Sequence, residues 1–296
     1  MTTGLLQLST QQLEYLVAVV DAPTWADAAG RLGVSPSALS QGIGQLERRL
    51  GVPLFDRDGR RRRLRPGAEE VVDYARRVVA ATHDLGRWAE ATRSGSRGRL
   101  RVGMIDVAAV DHFGPTLQGF RKDHPDLDLH LAVAPSGALI EQLMAGVISL
   151  AVVVRPARLT GELDLVDLVD EDLALYAPTG VRPGEPATWG PWVSFPAGSH
   201  TRDLVARRLA EFGAPFEVVA ESHQPEVLRG MVALGMGWTV LPVTQAEAEP
   251  LPLRRVREEP LLVRRLVVAR RRDRLSDPSA EALVERLVSR SGVGVG

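Results

Sequence analysis

The segment from Thr24 to Leu50, TWADAAGRLGVSPSALSQGIGQLERRL, constrains the fold most, because it encodes two short amphipathic helices joined by a tight turn. Thr24 can cap the first helix, and Ala26, Ala28, Ala29 and Leu32 give it a small, partly apolar surface that lets a second helix come close. Gly33 permits the turn. Ser35 followed by Pro36 is an N-cap with proline at the first helical position, and Ala38, Leu39, Ile43, Leu46 and Leu50 recur at the spacing of a buried stripe. Ser37, Ser40, Gln41, Gly44 and Gln45 are left facing outward. A face that is small and hydrogen-bonding suits insertion into a major groove, where base edges must be approached closely; the same pattern also fits an ordinary helical hairpin.

The residues that follow favour the first reading. Gly51-Val52-Pro53-Leu54-Phe55 ends the helix in an extended apolar segment, and Asp58-Gly59 is a hairpin turn signal inside the run from Asp56 to Arg65. A basic two-stranded ribbon at this place is a wing, with Arg57, Arg60, Arg61, Arg62, Arg63 and Arg65 placed to neutralise phosphates or enter a minor groove. Arginine runs elsewhere are often only solvated surface.

The block from Leu13 to Gly67 resembles the N-terminal domain of the LysR-type transcriptional regulators. The motifs that carry the resemblance fall in order: A-A-x-R-L-x-V-S, A-L-S, Q-L-E-x-x-L-G-x-x-L-F-x-R and R-x-x-x-L-x-P. The chain departs from the pattern at Pro36, where glutamine is frequent, and at Gln41, where arginine is frequent. It also carries Gly42 and Gly44 inside the second helix and Arg65 in place of a usual threonine. Each interior glycine costs a helix about 1 kcal/mol relative to alanine. The resemblance carries base reading to Ser37, Ser40 and Gln41, beside Ser35 at the cap and the wing arginines.

The charge distribution agrees. Residues 1–97 hold 14 arginines against 11 acids, whereas the remainder holds 22 basic residues against 26 acids, so the DNA-facing charge is a local patch. With 296 residues and 45% hydrophobic content, the chain has material for two or three globular units. The absence of cysteine excludes disulfides and thiolate metal sites. The opening MTTGLLQLST has neither the basic region nor the apolar core of an export signal, and no run approaches membrane-spanning length, so the expected location is the cytoplasm, without a membrane partner.

From Pro66 to about Arg93 one long helical pattern carries Glu69 and Glu70 in its first turn. Val71, Ala75, Val78, Thr82, Leu85 and Ala89 step by four and three, the period of two helices side by side. The stripe either packs on its own small domain or buries itself against a second copy, and the family resemblance implies a linker-helix dimer. Ser94-Gly95-Ser96-Arg97-Gly98 then breaks the helix as a hinge.

Beyond Arg99 the pattern alternates strands and helices. Strands are expected at 99–105, 127–133 and 148–154, with helices at 113–122 and 137–145 between them, which predicts a parallel sheet. A second set follows: strands at 173–177, 192–195, 216–220 and 238–243, helices at 201–212 and 226–234, a returning strand at 264–270 and a closing helix at 279–289. Two α/β lobes joined by two crossings resemble the periplasmic-binding-protein-like effector domain of the same family, including the stretch VALGMGWTVLP. The expected fold is therefore α/β: an N-terminal winged helix-turn-helix (1–65), a linker helix (66–94) and a two-lobed effector domain (98–290). Lobe I spans about 98–165 and 265–290, and lobe II about 166–264.

In open α/β sheets ligands bind beyond the carboxyl ends of strands, where helix N-termini present free N–H groups. This selects the loops holding Asp106; Ser136 and Gly137; Phe195, Ser199, His200 and Thr201; and Gln224. Ser136, Ser199 and Thr201 are equally plain helix N-caps. Asp106 suits a ligand with an amine or hydroxyl donor, or is a solvated loop acid. Enzyme chemistry lacks a constellation: there is no G-x-S-x-G or H-E-x-x-H, and His83, His112, His124, His130, His200 and His223 are scattered. Lys122, the single lysine, lies on a helix surface and not in a cleft, which disfavours pyridoxal phosphate. No cofactor or metal is expected.

The expected protein is a ligand-responsive bacterial transcription factor that binds double-stranded operator DNA as a homodimer or homotetramer. A small-molecule effector would sit in the inter-lobe cleft, and RNA polymerase is a candidate partner. The alternatives are a solute-receptor-like protein, which fits the second half alone, and a ligand-independent DNA-binding protein.

Overall fold

The computed structural model describes residues 6–58, 61–94, 98–157 and 161–290. The chain divides into two compact units, Met1–Gly95 with Met144–Val147 and Asp273–Leu275, and Ser96–Leu143 with Ile148–Arg272 and Ser276–Gly296.

The first unit opens with α1 (Thr10–Asp21), which the spacing argument did not single out. The Ser9 amide donates to Gln12 Oε1 at 3.3 Å, and Leu13, Tyr15, Leu16 and Val19 face the core. Helix α2 (Trp25–Leu32) is capped by Thr24, whose Oγ1 accepts from the Asp27 amide at 3.1 Å. Gly33 ends it in the left-handed region at φ +64°, which costs glycine nothing. Helix α3 (Pro36–Leu50) follows, capped by Ser35. Its buried stripe is Leu39, Ile43 and Leu46, closing on Ala28 and Ala29 of α2. Ala26 and Ala38, expected inside, are exposed, because the short helices meet only along α2's 28–29 edge.

Strands β1 (Phe55–Asp58) and β2 (Arg61–Leu64) pair antiparallel in the register Phe55↔Leu64 to Asp58↔Arg61, which is the wing. Gly59, of the expected turn, and Arg60 lie outside the described residues. Trp25 packs edge-on against Phe55, ring centroids 5.3 Å apart, fixing the wing's base to α2.

Helix α4 (Glu69–Ser94) begins three residues later than Pro66, because Gly67 at φ +87° makes a turn whose amide donates to Glu69 Oε2 at 2.7 Å. Its stripe is not the free seam that the 71–89 spacing suggests. Val72, Ala75 and Val79 belong to the core with α1, and Val71 and Val78 pack against that core half-buried. Thr82 and Leu85 are exposed and Ala89 is half-buried. The open apolar line is Tyr74 (54% exposed), Ala81, Leu85 (55%) and Trp88 (52%), with half-buried Val78 between the first two. Those steps are again four and three, rotated away from Val71 and Ala75.

The second unit contains β3 (Arg99–Met104), a π-helical turn (Ala108–His112), α5 (Gly114–Asp123), β4 (Asp128–Val133), α6 (Ser136–Met144), β5 (Leu150–Val154) and β6 (Leu163–Tyr176). There follow β7 (Trp192–Ser194), α7 (His200–Glu211), β8 (Val218–Glu221), α8 (Pro225–Ala233), β9 (Thr239–Pro242), α9 (Val243–Ala246), β10 (Leu262–Arg271) and α10 (Pro278–Arg290). One sheet has the order β4-β3-β5-β10-β6-β9; β4, β3 and β5 run parallel as the βαβαβ pattern requires, while β10 is antiparallel to β5 and β6. β7 and β8 form a separate parallel pair.

The largest departure from expectation is β6. Its first ten residues, LDLVDLVDED, were not anticipated as strand, because acids are depleted in strands. They persist here because β10 and the residue after it supply the opposite charge: Arg265 pairs with Asp170 at 2.6 Å and Asp167 at 3.0 Å, and Arg272 with Asp164 at 3.1 Å. The expected lobe boundaries at 165/166 and 264/265 fall inside β6 and β10. Along these two strands the chain passes from one core, holding Leu168 and Leu266, to another, holding Leu173, Leu175 and a Trp189–Trp192–Trp238 cluster. In VALGMGWTVLP, a Cβ at Gly237 would meet the Pro191 carbonyl oxygen at 2.6 Å, so only glycine lets the Trp238 amide reach that oxygen at 2.7 Å.

Candidate DNA interface and effector pocket

The outer surface of α3 is a shallow groove of about 900 Å³ whose walls include Ser37, Ser40, Gln41, Gly44, Gln45 and Arg48. Ser37, Gln41 and Gln45 are exposed, and Ser40 and Gly44 half-buried. Several of the family-motif residues here are structural. Ser35 Oγ accepts from the Ala38 amide at 3.2 Å and lies 3.0 Å from Ser37 Oγ, so it organises the helix start. Gln45 Oε1 accepts from Gln12 Nε2 at 3.1 Å, tying α3 to α1. Glu47 Oε1 accepts from the amides of Leu54 and Phe55 at 2.8 and 3.1 Å, anchoring the entry to the wing. Gly42 is also structural, since a Cβ there would meet Tyr15 Cδ2 at 2.5 Å. Of the wing arginines, Arg57 lies on β1 and Arg61, Arg62 and Arg63 on β2, with Arg63 exposed. Arg65 pairs with Asp56 at 3.2 Å across the ribbon.

In the second unit, a cavity of about 510 Å³ opens beyond the carboxyl ends of β3, β4, β7 and β8. Asp106, Ser136, Gly137, Phe195, His200, Thr201 and Gln224 all border it, although they come from four separate loops. Their roles as caps differ from expectation. Ser136 lies inside the first turn of α6 and its Oγ accepts from the Val154 amide of β5 at 3.1 Å, joining helix to strand. Ser199 takes the N-cap position of α7 by its backbone, without a side-chain bond. Thr201 is the second residue of α7, and its Oγ1 accepts from Arg264 Nη1 at 2.9 Å.

Arg264 borders this cavity and pairs with Glu171, and the sequence reading assigned neither a role. They are 4% and 5% exposed and stand directly opposite each other on β10 and β6. Arg264 Nε donates to Glu171 Oε2 at 2.6 Å, and His112 Nε2, from the turn after β3, donates to Glu171 Oε1 at 2.8 Å. Burial pushes the Glu171 carboxyl up, but the charge of Arg264 and the bonds from His112 and Arg264 outweigh it and hold the group below the usual carboxylate range. Asp106 goes the other way: burial raises its carboxyl, the Val107 amide and Arg264 oppose the shift, and the nearby charges of Glu226 and Asp111 reinforce it. The available signal was weak, because Glu171 stands between Asp170 and Asp172 and Arg264 beside Arg265, so the buried pair is told from its charged neighbours only once the strand pairing is known.

Among the described residues no cluster of His, Cys, Asp and Glu is placed to hold a metal ion, and no helix is long and apolar enough to cross a membrane.

Residues 10–69 match the family model of the bacterial regulatory helix-turn-helix proteins of the lysR family, and residues 93–292 match that of the LysR substrate binding domain. Among curated relatives, the HTH-type transcriptional activator IlvY of Salmonella typhimurium is 27% identical over 83% of this chain and 86% of its own. The HTH-type transcriptional regulator CbbR of Xanthobacter flavus is 29% identical over 94% and 86%. Among solved structures, the LysR family regulator CbnR covers 96% of this chain and 99% of its own at a TM-score of 0.63 and 19% identity. Full-length OxyR from Pseudomonas aeruginosa covers 97% and 95% at 0.61 and 23%. The helix-turn-helix with its wing, the long α4 and the two-core substrate-binding unit are thus held in common, and this chain belongs to the LysR family, as a ligand-responsive DNA-binding transcriptional regulator and not an enzyme.

Proposed function

We propose that the chain reads operator DNA with Ser37, Ser40 and Gln41 of α3, holds phosphates with Arg57, Arg60, Arg61, Arg62 and Arg63 of the wing, and senses its effector in the cavity bordered by Asp106, Ser136, Gly137 and Thr201. The observation that carries this reading is the coincidence, in one small unit, of an α3 that exposes the uncharged hydrogen-bonding side chains of Ser37, Gln41 and Gln45 ahead of Arg48 and Arg49 in its last turn, with an adjoining ribbon of arginines. Small polar groups on α3 allow the backbone close to base edges, while the arginines supply the sequence-independent attraction.

The functional divisions are 1–65 for DNA binding, 66–94 for the linker helix and 98–290 for effector binding, and the protein works in the cytoplasm. It acts as a dimer or tetramer whose α4 seam is Tyr74, Val78, Ala81, Leu85 and Trp88, since these present an apolar face at heptad spacing. Effector binding changes how the two cores are held along β6 and β10, and so how paired DNA-binding units sit on the operator and meet RNA polymerase.

The test is the salt dependence of duplex binding. Replacing Arg61, Arg62 and Arg63 with alanine weakens binding to all duplexes alike and lowers the slope of log K against log salt by about 0.9 for each phosphate no longer neutralised. Gln41→Ala changes the sequence preference and keeps the slope. An unchanged slope in the arginine variant refutes the wing assignment.

A further inference from the structure

Resting on the cleft as the sensing site, we propose that the effector is a small zwitterion, its anionic end held by Arg264 and the first turns of α6 and α7, its ammonium held between Asp106 and Glu226.

The anionic end follows from an unfinished guanidinium. Arg264 is 4% exposed and borders the cavity. Its Nε is used by Glu171 and its Nη1 by Thr201, whereas Nη2 has no acceptor among the described residues. Glu171 balances the charge of Arg264, while Nη2, which is not among the fully buried atoms left without a partner, keeps its donors available on the cavity side. A carboxylate in the cavity would complete it. Gly137, in the first turn of the nine-residue α6, and His200 and Thr201, in that of the twelve-residue α7, border the same space. First-turn amides have no intrahelical acceptor, so they add to the same pole.

The ammonium end follows from two acids that make no direct ion pair, although the charge of Arg264 reaches Asp106. Asp106 follows β3, and Glu226 lies in the first turn of α8; both border the cavity, and among the described residues neither has an ion pair. Glu226 is near enough to disfavour ionisation of Asp106, which burial already disfavours. A protonated amine between them relieves both effects. Arg264 argues against a purely cationic ligand, the acid pair against a dianion, and Ile105, Val133, Val154 and Phe195 supply apolar wall for the carbon skeleton of a molecule with both groups.

The experiment is calorimetric titration of the full chain with the twenty L-α-amino acids, β-alanine and 4-aminobutyrate, each beside the acid that lacks the amine and the amine that lacks the carboxylate. The expected result is that at least one zwitterion binds, with both truncated partners weaker by about tenfold or more, the worth of one charge-assisted hydrogen bond. Asp106→Asn should weaken the zwitterion about tenfold and leave the deaminated acid unchanged. Glu226→Gln, at an exposed position that folding does not depend on, should act in the same direction. Equal binding of zwitterion and deaminated acid, or binding by no member of the panel, overturns the inference. The cleft reading is tested separately by Gly137→Leu, since a Cβ there meets nothing within 4 Å and a larger side chain fills the site. A ligand that binds this variant as tightly as the natural chain places the sensor elsewhere, whatever its charge.

Discussion

Gly42 and Gly44 both sit inside α3, and replacing each with alanine separates packing from helix propensity. Alanine in place of an interior helical glycine contributes about 1 kcal/mol. At Gly44 the new Cβ meets only Arg48 Nη1, at 3.6 Å, an ordinary contact at the end of a flexible side chain. Gly44→Ala should therefore stabilise the first unit by about 0.5–1 kcal/mol. At Gly42 the Cβ would lie 2.5 Å from Cδ2 and 2.8 Å from Cε2 of Tyr15, a ring that is itself 8% exposed in the core. Moving such a ring costs about 1–3 kcal/mol, so Gly42→Ala should be neutral to destabilising by about 2 kcal/mol. The same substitution in the same helix thus differs by about 1–3 kcal/mol between the two positions. Amide hydrogen exchange of α1 and α3 peptides in the full chain reads the opening free energy of this unit without requiring the whole protein to unfold in two states. Equal gains in protection at both positions would refute the argument that Tyr15 is what keeps position 42 a glycine.

Ala81→Asp with Leu85→Asp should convert the protein to folded monomers in sedimentation velocity at micromolar concentration, because paired acids cannot be desolvated in an apolar seam. Both positions are exposed in the single chain, so its helix content should be kept; a dimer that survives places the seam elsewhere. Glu171→Gln should destabilise the second unit by about 3 kcal/mol, since it leaves Arg264 buried without a counter-charge. Glu171 is held below the usual carboxylate range, so its stabilisation is complete above the unfolded value of about 4.3 and disappears as pH falls through the lower folded value. Urea unfolding at a series of pH values from neutral downward should show a shallower acid dependence in the variant than in the natural chain, and an identical acid slope would count against the pair.

The winged helix-turn-helix was legible because each of its signals is local: Thr24 and Ser35 cap as their positions imply, Gly33 takes the left-handed turn, and Leu39, Ile43 and Leu46 keep one helical face. The loops bordering the cavity were legible for a related reason, since strand order places carboxyl ends on one side and so gathers Asp106, Ser136, Thr201 and Gln224. The hydroxyl roles were not. Whether Ser136 Oγ caps its own helix or binds the amide of a strand residue eighteen positions on depends on where β5 lies, which no local pattern states.

The sequence by itself determined the helix-turn-helix and the alternating βαβαβ elements after Arg99, but neither α1 nor the first ten residues of β6, because helix period, caps and turn residues act between neighbours a few positions apart. Tertiary structure decided which face of α4 is spent on its own core, leaving Leu85 and Trp88 outside, since a 3.5-residue period marks a stripe but not its partner. It decided that the acid-rich LDLVDLVDED is a strand, because the arginines that make it tolerable come from β10 and the residue after it. It also decided that Glu171 meets Arg264, 93 residues away and on the wall of the cavity. Charges that far apart in the chain are coupled only through cross-strand register, and register is a property of the folded sheet.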